Sequence, residues 1–155
     1  MSCDVAASMT LWLAAVTTDP HAVAQRLLVS SAATIPTSTL SREPLYASIV
    51  ARAKALKGEV LRYKAAGGAP DLKSFRGKVE ALAALDMKGH LDLAARGTDG
   101  DLKCILKGIS QDLPKRMDEM AAAHTAPARV KALSEMAYLL NDNVEVITAP
   151  PKPPA

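Results

Sequence analysis

The chain has 155 residues with a formal net charge of +3 and 23% charged side chains, enough length for one substantial core and too little for two. Its two cysteines, Cys3 and Cys104, lie far apart with no CxxC or Cys/His spacing, which argues against a zinc site and a disulfide framework, and no apolar stretch reaches bilayer length. Among its residues are 29 Ala and 19 Leu but only five aromatics (Trp12, Tyr46, Tyr63, Phe75, Tyr138), and because neither Ala nor Leu is β-branched the mixture favours helix over sheet.

Near the N-terminus, Val5, Met9, Trp12 and Val16 step by four, three and four, the spacing of one helical stripe. The apolar run here is not read as a secretion signal, since no Lys or Arg precedes it and Asp4 stands where a basic residue belongs. Thr18, Asp19 and Pro20 restart the chain into a second helix ending near Ala33. The segment Thr34 to Ser41 reads as a loop.

The longest helix is expected from Pro44 to Ala66, with Leu45, Ile49, Ala53, Leu56, Val60 and Tyr63 on its apolar side. That period of 3.6 suits a nearly straight helix in a globular bundle rather than a supercoil. Gly67, Gly68 and Pro70 end it, and Asp71 is placed to cap the next helix.

The following helix carries Leu72, Phe75, Val79 and Leu82 on one face, and the same face carried forward meets Asp86, His90 and Leu93. Either the helix breaks at Gly89, or it continues and an aspartate faces a histidine one turn away. Beyond Gly97, Asp99 or Asp101 can cap a helix bearing Leu102, Ile105, Leu106, Ile109 and Leu113. Pro114 lacks an N–H, so a kink or restart is expected near Asp112 before Met117 and Met120 extend the stripe. A last helix holds Val130, Leu133, Ala137 and Leu140, helical signals stop at Asn141, and the ending from Ala149 reads as a solvated polyproline-like tail.

Asp86 and His90 are the candidate catalytic residues. At a spacing of four their side chains meet on a helix, and a carboxylate would fix the imidazole tautomer for acid/base work. A site needs more parts, however: His21 and His124 lie in other segments, and no Ser or Cys is placed near His90. A phosphotransfer role for His90 fits poorly as well, since Lys88 and Gly89 precede it instead of following it and Asp92 would repel an incoming phosphoryl donor. Cys104 lies off the stripe of its helix, beside Lys103 and Lys107, where it is either an exposed thiol able to react or form a bridge or a small apolar contact.

Charge is unevenly spread. Residues 42 to 78 hold nine cations (Arg42, Arg52, Lys54, Lys57, Arg62, Lys64, Lys73, Arg76, Lys78) against three acids, whereas residues 79 to 101 hold two cations against five acids. The basic segment is the candidate nucleic-acid-binding surface, although no recognition helix, stacking platform or phosphate loop accompanies it.

The sequence therefore points to an all-α fold: a single-domain bundle of five to six antiparallel helices over residues 1–143, with a Pro-rich tail over 144–155. The expected function is non-enzymatic interaction or assembly, as a homo-oligomer or with a protein partner, and nucleic-acid binding through 42–78 is the alternative. No cofactor, no metal, no membrane association and a cytoplasmic location complete the expectation.

Overall fold

Pro44 opens the longest helix because the N–H it lacks would go unbonded in a first turn, and Gly67 closes it at φ 65°, a left-handed value that suits glycine. In the computed structural model, residues 37–68, 70–97 and 101–149 are described, and all belong to one compact unit, Thr34–Ala155. The two helices expected before residue 34 and the proline-rich end from residue 150 lie outside the described residues, as do Cys3 and Trp12.

Five helices follow in order: α1 (Thr37–Leu40), α2 (Pro44–Ala66), α3 (Leu72–Ala95), α4 (Leu102–Ala122) and α5 (Ala126–Thr148). The first is a single turn, so the body is a four-helix bundle, and no strand occurs among the described residues. Cross-helix pairs fix the directions. Glu43 meets Arg96 and Glu59 meets Lys78, so α3 runs against α2; His90 meets Lys103 and Arg76 meets Asp118, so α4 runs against α3. A short turn reverses α4 into α5, and α5 closes the ring against α2, leaving α2/α4 and α3/α5 as the diagonals.

Three helix starts have visible chemical causes. Asp71 accepts from Lys73 N–H at 3.2 Å ahead of α3, Thr125 Oγ1 accepts from Ala128 N–H at 3.3 Å ahead of α5, and α2 begins at its proline. Of the two residues expected to cap α4, Asp101 makes no side-chain capping bond and Asp99 lies outside the described residues.

The core joins Ile49, Ala53, Leu56 and Val60 of α2 to Phe75, Val79, Leu82 and Leu93 of α3, Leu106, Leu113 and Met117 of α4, and Leu133, Met136 and Leu140 of α5. Tyr46, absent from the expected stripe, is fully buried at the start of α2.

Among the described residues the bundle body has four long helices, and the two expected before residue 34 lie outside them. Of the two courses left open for α3, the unbroken one is taken, straight through Gly89. Two expectations are corrected. α4 passes through Pro114 without a restart, because Leu113 and Met117, both buried, hold the helix to the core on either side of it. α5 continues to Thr148, so the expected tail boundary at 144 falls inside a helix; Asn143 and Ile147 are buried there, and tertiary packing outweighs the weak helix preference of Asn, Val and Thr.

Candidate functional site

The middle of α3 places Asp86 on the same stripe as Val79, Leu82 and Leu93, which takes a carboxyl group into the core. Asn143 does the same on α5, three residues beyond the buried Leu140. Both residues are 0% exposed, and Asn143 Nδ2 donates to Asp86 Oδ2 at 2.8 Å. Since α3 and α5 are diagonal partners, this bond crosses the bundle interior. Asp86 Oδ1 and Asn143 Oδ1 have no hydrogen-bond partner among the described residues. Burial pushes the Asp86 carboxyl up to about 7 from an ordinary 3.8, while the Asn143 bond pulls the other way.

His90 stands one turn along α3 but turns to a different partner. Its Nδ1 lies 2.7 Å from the Lys103 carbonyl oxygen of α4, an acceptor, so the proton sits on Nδ1 and that nitrogen donates. Asp86 and His90 therefore share a helix without bonding to each other, and the expected carboxylate–imidazole pair does not form. Replacing His90 with alanine is expected to lower stability by about 1 kcal/mol, the worth of a typical hydrogen bond, measured as a shift in the urea midpoint at unchanged slope.

A second polar cluster sits beyond His90, at the C-terminal end of α3. Arg96 clasps Glu43 through two bonds, Nη1 to Oε1 at 3.0 Å and Nη2 to Oε2 at 2.6 Å, and its Nη2 also lies 2.7 Å from Asp92 Oδ2. The Tyr46 hydroxyl donates to that same Asp92 oxygen at 2.7 Å and lies 3.2 Å from the Gly89 carbonyl. The Arg96 guanidinium also lies over the Tyr46 ring at 5.9 Å. Hydrogen bonding to Arg96 holds the Glu43 carboxyl below its usual range, while burial followed by the bond to Asp92 raises the Tyr46 phenol. Each charge here is met by its opposite, the pattern of a strut between α2 and α3 rather than of a reactive centre.

At the opposite end, a cleft of about 180 Å³ is lined by Pro70, Leu72, Met120, His124, Arg129 and Leu133, away from both polar clusters. Among the described residues no group of three or more His, Cys, Asp or Glu is placed to hold a metal ion, and no helix is long and apolar enough to cross a membrane. Cys104 is disulfide-bonded, against the argument from cysteine spacing but in line with the bridge left open for a thiol at this place, and not the simple apolar contact. Distance along the chain does not bar such a bond, because geometry in the folded state decides it.

The nine basic residues separate into two groups. Lys57 donates to Asn141 Oδ1 at 2.6 Å, Arg76 pairs with Asp118 at 2.9 Å and Lys78 pairs with Glu59 at 2.8 Å, so three are engaged within the bundle. Arg42, Arg52, Lys54, Arg62, Lys64 and Lys73 are exposed, and those on α2 are distributed around the helix instead of along one face.

Sequence reasoning found Asp86 and missed Asn143, because the last helix was expected to stop at Leu140, eight residues short of its end at Thr148. The signal was nonetheless present: the stripe Leu133, Ala137, Leu140 projects onto 143 or 144 and then onto Ile147. No protein-family model, curated protein or solved structure matches this chain.

Proposed function

We propose that this chain is a non-enzymatic helical interaction or assembly protein that joins a second copy of itself or a protein partner through its outer helix faces. The observation that supports this best is the set of large apolar side chains left outside the core: Tyr138 is 67% exposed and Leu91 59%, with Leu61, Ile105 and Val130 also on the surface. Ile105 and Val130 belong to the apolar stripes read from sequence, so α4 and α5 carry more apolar surface than one bundle covers. The polar residues singled out for chemistry are engaged in bonds between helices, which fits a scaffold. Light scattering coupled to gel filtration tests the proposal: a mass above that of one chain, lowered by Tyr138→Glu, is expected. A monomer at all concentrations that also captures no protein partner would remove it.

Nucleic-acid binding through residues 42–78 is the second reading, favoured by six exposed cations of that segment besides the paired Lys78. Those charges would neutralise phosphates and give affinity that falls steeply with salt. Titration with mixed-sequence DNA and RNA across a salt series decides it, and no binding at low salt ends it. The cytoplasmic location expected from the cysteine count sits against the disulfide at Cys104, since reducing compartments keep thiols free, and an oxidising compartment is the better fit.

A further inference from the structure

We infer that the folded bundle contains a proton-binding site at its centre: Asp86 is a carboxylic acid there, its Oδ1–H donating to Asn143 Oδ1 while Asn143 Nδ2 donates to Asp86 Oδ2.

The argument is an inventory of donors and acceptors. An ionised aspartate only accepts, and so does an amide oxygen, so the ionised pair leaves two buried acceptors facing no donor. A single proton on Oδ1 turns one acceptor into a donor and satisfies both atoms at once. The existing 2.8 Å bond already joins the amide to one carboxyl oxygen, and the second bond of the ring would join the two oxygens left over. Complete burial of both residues makes each unpaired oxygen costly, and among the described residues no cation reaches the pair to offset a negative charge.

Charged groups on the surrounding elements are committed elsewhere or lie at the surface. Lys57 of α2 donates to Asn141, Glu145 of α5 accepts from Asn141, and His90 of α3 bonds to the Lys103 carbonyl. Asp142 of α5 and Lys107 of α4 are half-buried, and none of the five contributes to the environment of Asp86, whose shift arises from burial and the Asn143 bond.

The sign of the pH effect follows. The folded carboxyl holds its proton up to about pH 7, whereas the unfolded one loses it near 3.8. Across that window the native state binds more protons than the unfolded state, so stability contributed by Asp86 is full in acid and is lost as pH rises through the folded value. The bundle thus tightens on acidification, with Asp86 as the sensor.

The test compares the wild-type chain with Asp86→Asn, which keeps the two-bond ring as an amide–amide pair and needs no proton. Urea unfolding across pH is expected to show the ratio of the two folding equilibria changing about tenfold per pH unit between about pH 4 and about pH 7 and levelling beyond. Nuclear magnetic resonance of the Asp86 carboxyl carbon in the wild-type chain is expected to titrate near neutrality, and this reading stands even if the variant fails to fold. A carboxyl that titrates in the ordinary aspartate range would overturn the inference, and would assign the pair instead to an ionised aspartate with a buried water. Equal pH slopes for the two proteins would also overturn it.

Discussion

Asn143→Leu is expected to destabilise the bundle by about 3 kcal/mol at neutral pH, while the double variant Asp86→Leu/Asn143→Leu recovers most of that loss. The reason is an asymmetry in buried polar energetics. Removing one partner leaves the other with its full desolvation cost, about 1–3 kcal/mol for a neutral group and more for a charge, whereas replacing both by apolar groups restores a consistent core. Leucine at 143 removes the donor that Asp86 uses at 2.8 Å and offers nothing in return. Urea midpoints for wild type, both single variants and the double variant complete the cycle, and a coupling near zero would mean that the two side chains do not depend on each other.

Gly89→Val is expected to cost about 2–3 kcal/mol, because an added side chain has no room. A Cβ at Gly89 would stand 3.1 Å from Leu106 Cδ1, 3.3 Å from Ile49 Cδ1 and 3.4 Å from Tyr46 Cε1, and all three neighbours are fully buried. A β-branched side chain pushes against all of them, the overpacking case, and its better helix preference offsets only a few tenths of a kcal/mol. Gly77 provides the control. Nothing lies within 4 Å of a Cβ built there, so Gly77→Ala should instead stabilise α3 by about 1 kcal/mol. Thermal unfolding of the two variants should shift in opposite directions, and equal shifts would show that the space around each glycine is not what governs its substitution.

Helix identity and most of the core were legible in the sequence because the 3.6-residue spacing of apolar side chains is a direct image of burial. The helix from Pro44 to Ala66 has the expected bounds, marked by a proline that opens it and a glycine that closes it. Local signals failed where tertiary packing opposed them. Pro114 announces a break, yet the buried residues on both sides of it keep α4 whole. Asn141 and Asn143 announce an end, yet α5 runs on because Asn143 has a buried partner and Ile147 a place in the core. The sequence showed that Asp86 lay on an apolar face but not what met it there, since a bond across 57 residues leaves no periodic trace. His90 was the nearest polar neighbour on the same helix and so took a role that belongs to Asn143.

A core rich in alanine and leucine gives little preference for one alignment of neighbouring helices over another displaced by a turn, since similar knobs meet similar hollows either way. The bond between the diagonal helices breaks that near-degeneracy. Displacing α5 by one turn carries Leu140 or Ile147 to where Asn143 stands, opposite a carboxyl group they cannot satisfy. Substitutions among the interchangeable aliphatic positions can therefore accumulate without the helices losing their vernier setting, provided that the one polar notch and its counterpart persist.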